Sequence, residues 1–404
     1  MKRRIARVVR GSRVYLESIW ALDRLLDWFS QRGPKEPAKE KRHILIAATG
    51  NGNIGDQAML EAYLENVNGD VIVVCESLAY MKLPVADEGR ATLVALPRLV
   101  RGTAGLRLPE VLTFNRLLRE GKSLSVTGAD LMDGLYNPAA SVARASALRS
   151  ATSAGVPARV LGFSWSPHPH VGATRAMRRL RGDAALFARD PISAERLSGL
   201  GIQGVELVAD TVFAATGVDR ASAAAEWAAA KKAQGKRIAI VNASALIAQR
   251  VGQLNDYVAI VDYLLSEDYA IVLVPHVVRP GDNDVTPVRE IFAKFSSADL
   301  YLVETELSPR QVRGLVAFAD SVVTGRMHLA VMSLMAGVVP ITLGTQGKVD
   351  GLYALFSIEN FTVEPSPGFS AKVIAGLAPA ARADPDARLP QVAAASSLNF
   401  EGLA

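Results

Sequence analysis

From residue 43 onward, short runs of apolar residues alternate with longer stretches in which apolar residues recur every three or four positions. The runs ILIAAT (44–49), VIVVCE (71–76), ATLVAL (91–96), SLSVTG (123–128), ARVLGFS (158–164), AALFAR (184–189) and VELVA (205–209) read as strands. Helical stretches such as AMLEAYLENV and ASVARASALRSATSAG lie between them. Strands that are apolar throughout, and separated by helices, predict a parallel sheet buried on both faces. The series then restarts. RASAAAEWAAAKKAQGK (220–236) reads as an Ala-rich helix or linker. RIAIVNAS (237–244), AIVLVPH (270–276), LYLVE (300–304), SVVTG (321–325) and VVPITLG (338–344) follow as strands, again with helices between. The expectation is an α/β chain of two tandem Rossmann-like, doubly wound domains, with a cleft between them at the carboxyl ends of both sheets. Residues 43–219 would form the first domain and 220–365 the second. Residues 366–404, rich in Ala, Pro and Ser, read as a loosely attached extension.

Charge changes the picture at the N-terminus. The formal net charge of the 404-residue chain is +5, yet residues 1–42 hold 12 Lys/Arg and 5 Asp/Glu. The remaining residues therefore carry a slight acidic excess, and nucleic acid is not an expected partner. Within this tail Tyr15, Ile19, Leu22, Leu26 and Phe29 share one helical face. Glu17, Asp23, Arg24 and Asp27 interrupt any signal-peptide core, and no small-residue cleavage site follows. Two readings remain open. Residues 1–30 rest as a basic amphipathic helix on an anionic membrane surface, or the helix packs on its own domain or a partner subunit. Residues 32–42 read as a charged linker. The longest charge-free run, 328–347, is broken by Gly337, Pro340 and Gly344, so no membrane span is expected. The single cysteine, Cys75, allows no intrachain disulfide and fits a reducing, cytoplasmic setting, with the inner face of the membrane as a place for the tail.

The first glycine turn, HILIAATGNGNIGDQ, spells G-x-G-x-x-G at Gly50, Gly52 and Gly55. A dinucleotide needs a bare helix N-terminus for its pyrophosphate. Here Asp56 follows the third glycine directly and competes for the same N–H groups. The turn is therefore expected to meet neutral polar groups such as hydroxyls, not a nicotinamide cofactor. In the second half, TGRMH puts Arg326 and His328 just past a strand and into the start of a helix. An arginine, a histidine and a helix N-terminus together suit an anion with carboxylate or phosphate groups. VLVPH ends a strand at His276 ahead of Asp282 and Asp284, TQGKVDG offers Lys348, and LFARD places Arg189 at a strand end. Asp190 and Ser193 read as helix capping. His168 and His170 lack nearby carboxylates, so no metal is expected.

Taken in order, these pieces resemble the polysaccharide pyruvyl transferase family. The likeness rests on the N-x-G-D turn (Asn53, Gly55, Asp56), the acidic stretch VTGADLMDG, the block Arg189–Ser193, V-P-H at His276, and T-G-R-M-H followed by A-G-V and a lysine. Only Gly128 stands where the family has a glycine run ahead of its acidic residue. The resemblance implies a fold of GT-B type and transfer of pyruvate from phosphoenolpyruvate to two sugar hydroxyls, with no other cofactor. The chemistry of that transfer suits His328 as acid/base and donor ligand and Arg326 as the catalytic group that binds the donor and stabilises departing charge, with Arg189, Lys348 and His276 as further donor ligands. Asn53, Asp56 and Asp133 would face a glycan or glycolipid acceptor across the cleft, Asp56 also taking part in catalysis. Two other readings share these features: a GT-B glycosyltransferase using a nucleotide-sugar, and a catalytically silent partner in a polysaccharide-assembly complex.

Overall fold

The computed structural model describes residues 11–31, 41–344 and 348–403. It contains two parallel sheets. In the first, strands β1 (Arg42–Ile46), β2 (Val71–Cys75), β3 (Ala91–Ala95), β4 (Gly121–Ala129), β5 (Ala158–Phe163), β6 (Ala185–Ala188) and β7 (Val205–Leu207) lie in the order 3-2-1-4-5-6-7. All pairings are parallel, and β2 and β4 are buried along nearly their whole length. This is why those runs are apolar without alternation.

The second sheet is built from β8 (Arg237–Asn242), β9 (Tyr269–Leu273), β12 (Leu300–Leu302), β13 (Ser321–Thr324), β14 (Ile341–Leu343) and β15 (Thr362–Val363). Its order is 12-9-8-13-14-15, again parallel throughout. A two-residue hairpin, β10 (Val278–Arg279) and β11 (Asp282–Asn283), stands apart from it. Each sheet reverses its winding once, between β1 and β4 and between β8 and β13, and such switch points are where open α/β sheets bind ligands. The twelve strands expected from the sequence are all present, each within a few residues of its expected place. β15 and the hairpin were not foreseen.

The chain divides into two compact units. One holds residues 1–49, 63–211 and 395–404; the other holds 50–62 and 212–394. The glycine turn and the first turns of the helix Ile54–Asn66 therefore belong with the second sheet, although β1 leads into them from the first.

The two chain ends differ from expectation. Residues 366–404 are not a loose extension. They form helices Ser370–Arg382 and Leu389–Ser397, and the last residues pack into the first unit. There Asn399 is fully buried; its amide oxygen accepts the Gly162 N–H at 2.7 Å and its nitrogen donates to the Ala209 carbonyl at 3.0 Å. At the other end, the helix Arg13–Gln31 packs on the first unit, burying Leu16, Ile19 and Trp20. Its acidic residues point inward too. Asp23 meets Arg107 at 3.1 Å with both side chains buried. Asp27 accepts from Asn115 at 3.1 Å and from Ser150 at 2.9 Å and pairs with Arg149. Of the two readings of this helix, packing on its own domain is thus realised for the inward face.

Candidate active site

The best-built cluster of chemistry-bearing residues lies in the second unit, at the carboxyl ends of β8 and β13. β13 ends at Thr324, and the chain turns through Gly325 into the helix Met327–Met335, with Arg326 at the N-cap position. Glycine is required at 325, because a Cβ there would come within 2.7 Å of Ile247 and 2.8 Å of Ser244. The Thr324 hydroxyl accepts the Arg326 N–H at 2.9 Å and lies 3.2 Å from the Asn242 amide oxygen, at the tip of β8.

Arg326 is held by two carboxylates of the segment after β9. Its Nε and Nη2 reach Asp284 at 3.1 and 2.6 Å. Its Nη1 and Nη2 reach Asp282, the former at 3.2 Å. Asp284 is fully buried and collects further donors: the backbone N–H of His276 (3.1 Å), Val277 (3.0 Å) and Ala245 (2.8 Å), and the Asn242 amide (3.2 Å). One carboxylate thus ties β8, the loop after β9 and the helix entry after β13 together. Burial works against the guanidinium charge, but Asp284 and Asp282 outweigh it and push its pKa above the ordinary value. Asp282 is itself shared with Arg279 at 3.2 Å.

His276 is buried in the same place, and neither ring nitrogen has a hydrogen-bond partner among the described residues. Its burial holds it neutral, far below the usual imidazole pKa, and the neighbouring His328 and Arg326 add to the effect. A neutral imidazole whose nitrogens meet nothing is poised to bond something that enters.

The glycine turn packs directly on this cluster. The Val278 N–H donates to the Gly52 carbonyl at 2.7 Å, Asn53 forms a bridge with Val277, and the Ile54 N–H donates to the His276 carbonyl at 3.2 Å. A Cβ at Gly52 (φ +74°) would lie 2.0 Å from the Val278 carbonyl oxygen; one at Gly55 would lie 2.1 Å from His328 Nδ1. Two of the three fingerprint glycines therefore make room for protein atoms, not a pyrophosphate. The turn closes on itself: Asp56 accepts the Gly50 N–H at 2.9 Å, and the Asn53 side chain accepts that of Gly55 at 3.0 Å. Asn53 and Asp56 are thus brought together with His276, Arg326 and His328 within one unit, instead of standing opposite them in another. Lys348 opens the helix Lys348–Phe356, but its side chain lies outside the described residues.

Arg189 and Asp133 lie elsewhere, in the first unit. Arg189 is buried and committed internally, its Nη1 to Asp210 at 2.7 Å and its Nε to Ser164 at 2.8 Å. Asp190 caps the following helix by accepting the Ser193 N–H at 2.7 Å, as expected, and also accepts from the Ser164 hydroxyl. This continuous network leaves the Arg189 guanidinium holding a strand end together and not displayed to a ligand. Asp133 is also buried; it closes its own loop by accepting the Leu135 N–H at 3.0 Å. Asp284, Asp282, Asn242 and Thr324 are the residues that sequence reasoning left without a role. Their only signal was position: two carboxylates shortly after V-P-H, and polar residues ending two apolar strands. No group of described residues has the makings of a metal site.

The two parallel sheets give the chain an α/β fold of GT-B type. The polysaccharide pyruvyl transferase family model matches residues 53–347, and the chain belongs to that family. Among solved structures, the UDP-GlcNAc 2-epimerase of Methanocaldococcus jannaschii is similar, with a TM-score of 0.56 at 14% identity, over 89% of this chain and 98% of that one. The Neisseria meningitidis UDP-GlcNAc 2-epimerase, solved bound to UDP-GlcNAc, gives 0.55 at 10% identity, over 90% and 99%. A glycosyltransferase from Rickettsia africae gives 0.50 at 12%, over 90% and 95%. At these identities the likeness is one of fold. No curated protein matches the chain significantly.

Proposed function

We propose that the protein transfers the pyruvyl group of phosphoenolpyruvate to two hydroxyls of a sugar in a polysaccharide or glycolipid, forming a cyclic ketal and releasing phosphate. The observation that carries this reading is the placement of Arg326 and His328 at a helix entry, beside buried, neutral His276, in a member of this family.

The chemistry asks for few groups. The methylene carbon of the donor takes a proton, the neighbouring carbon becomes electrophilic, and one sugar hydroxyl adds to it while losing its own proton. Phosphate then leaves, and the second hydroxyl adds to the same carbon and gives up its proton. In sum, the donor and a diol give the ketal and inorganic phosphate. His328 serves as the acid/base that moves these protons. Arg326, with four of its five N–H groups held by Asp282 and Asp284, offers its remaining Nη1 N–H and its charge to the donor's carboxylate or phosphate and stabilises the departing charge. His276, kept neutral, hydrogen-bonds the donor without adding to the cationic charge. Asn53 and Asp56 receive the sugar hydroxyls, and Asp56 assists in deprotonating one of them. Lys348 is a further donor ligand.

The test is direct. Purified protein with candidate glycan acceptors should consume phosphoenolpyruvate and release phosphate, and His328→Gln should abolish turnover. A thermal-shift panel of phosphoenolpyruvate, NADH and nucleotide-sugars assigns the donor. A ligand at a hundred times its dissociation constant stabilises by roughly 2.7 kcal/mol. A shift with phosphoenolpyruvate that Arg326→Ala removes supports the reading; a shift with a nucleotide-sugar alone overturns it in favour of glycosyl transfer.

A further inference from the structure

The helix Arg13–Gln31 differs from an ordinary surface helix in being apolar on both sides, with its acidic residues turned toward arginines of the body. Glu17, Asp23 and Asp27 face the body of the first unit, where Arg175 and Arg179, Arg107 and Arg149 neutralise them. The side turned away from the protein is apolar. Val14 is 81% exposed, Leu25 52%, Trp28 48% and Phe29 58%. Val14, Ala21, Leu25 and Trp28 fall seven, four and three residues apart, so they form one stripe along the helix. The Trp28 and Phe29 rings meet edge to face at 4.8 Å.

The charges left on this side are all positive. Arg13 and Arg24 are exposed beside the stripe. The helix Leu108–Arg119 lies alongside, joined through Asn115 to Asp27 and through Arg119 to the Ser30 carbonyl. Its own exposed residues are Pro109, Leu112, Arg116 and Arg119, and the charged ones among them are both basic. Upstream, residues 1–10 (MKRRIARVVR) add five basic residues and no acidic one.

An exposed stripe of this kind normally marks a surface that is covered in use. We infer that the outward face of this helix is a membrane-surface site, seated at the headgroup boundary of an anionic bilayer. The chemistry commits to that occupant. Tryptophan and phenylalanine lie well at the boundary, where one side is apolar and the other wet. Arginine at the margins and a basic leading segment are attracted to anionic headgroups. Of the acidic side chains, which such a surface would repel, Asp23 and Asp27 are buried and the partly exposed Glu17 is neutralised by Arg175 and Arg179. No described helix is long and apolar enough to cross a membrane. The packing that fixes the inward face and the exposure of the outward one thus assign the two earlier readings of this helix to its two sides.

The test uses the full-length chain and co-sedimentation with vesicles of phosphatidylcholine mixed with phosphatidylglycerol, against phosphatidylcholine alone. Expected is binding to the mixed vesicles only, weakened by salt. The double variant Leu25→Glu/Trp28→Glu should abolish it with an unchanged melting temperature, since neither side chain is buried. A second variant, Arg13→Gln/Arg24→Gln, leaves the apolar stripe intact and should weaken binding severalfold. Wild-type protein that stays in the supernatant with both vesicles overturns the proposal. So does binding that survives both variants, which would place the contact elsewhere. A dimer in light scattering that Leu25→Glu/Trp28→Glu converts to monomer also overturns it, because the stripe would then serve a second copy of the chain.

Discussion

Arg326 lays two nitrogens on the carboxylate of Asp284, Nε at 3.1 Å and Nη2 at 2.6 Å, across 42 residues of sequence. Asp284 is fully buried and also anchors the His276 and Val277 amides. Arg326 is thus oriented by a fixed group before any ligand arrives, as the role proposed for it requires. Asp284→Ala would leave the arginine with Asp282 as its remaining carboxylate. Breaking a buried pair by removing one partner costs about 3–5 kcal/mol. We expect a melting temperature lowered accordingly and loss of turnover; an unchanged melting curve would show that the carboxylate is not the anchor described.

Gly55 gives a sharper test of the site, because only one atom changes. A Cβ there would meet His328 Nδ1 at 2.1 Å, and φ is not positive, so the backbone itself is unstrained. Gly55→Ala should displace the imidazole by about an ångström, and a misplacement of that size costs roughly a hundredfold in rate. The expected result is a large loss in kcat with a modest loss of stability. Gly52→Ala should instead damage the fold, since its Cβ meets backbone, the Val278 oxygen, at a positive φ.

Arg326→Lys separates binding by an oriented N–H from binding by a charge. Lysine keeps the charge but cannot engage Asp282 and Asp284 as the arginine does while offering a further N–H to a ligand. Affinity for phosphoenolpyruvate in the thermal-shift assay should fall with this change, whereas His328→Gln should leave donor binding largely intact and remove turnover. Equal loss of binding in both variants would argue against separate roles.

The two sheets were legible in the sequence because strands buried on both faces must be apolar along their whole length. The hairpin of β10 and β11 and the short β15 have too few residues to carry any period. The site was half legible. A strand end followed by Arg326 and His328 is a local signal. What the glycine turn packs against is not: the partners of Gly52 and Gly55 are Val278 and His328, more than two hundred residues away. The same holds for Arg189, whose placement at a strand end said nothing of Asp210. In the N-terminal helix, of the apolar face Tyr15, Ile19, Leu22, Leu26, Phe29, Ile19 is buried and Tyr15 and Leu26 pack against the core, but Phe29 lies outside. Periodicity cannot see that Asp23 and Asp27 have arginines waiting elsewhere in the unit.

Stability should fall with acid, and His43 gives the sign. It is buried in β1 with Nδ1 2.7 Å from the Ser123 hydroxyl. Burial, with Lys122 and Arg159 nearby, pulls its pKa from the usual 6.5 to about 4. The unfolded chain therefore takes up a proton in this window that the folded chain refuses. Stability is intact above pH 6.5 and is lost as pH falls toward about 4. A shift of this size corresponds to roughly 3 kcal/mol at its fullest extent. Burial lowers the pKa of His276 in the same direction. Melting temperature measured against pH should decline over this range, and His43→Gln should flatten the decline. Parallel curves for the two proteins would remove His43 from the account.

The pair Asp23 and Arg107 tests how the N-terminal helix is held. Both side chains are buried, at 3.1 Å, and burial raises the Asp23 pKa against the pull of Arg107. Two buried charges lose hydration that their attraction only partly returns, so the pair specifies the docking of the helix more than it strengthens it. Arg107→Ala should be costly, about 3–5 kcal/mol, because it strands a carboxylate. Replacing both, Asp23→Leu with Arg107→Met, should restore most of that loss, since apolar groups of similar volume need no partner. Hydrogen exchange in residues 13–31 reads the outcome locally: fast exchange in the single variant, protection recovered in the double. If the double variant exchanges as fast as the single, the ion pair itself holds the helix, and the apolar contacts of Leu16, Ile19 and Trp20 are insufficient without it.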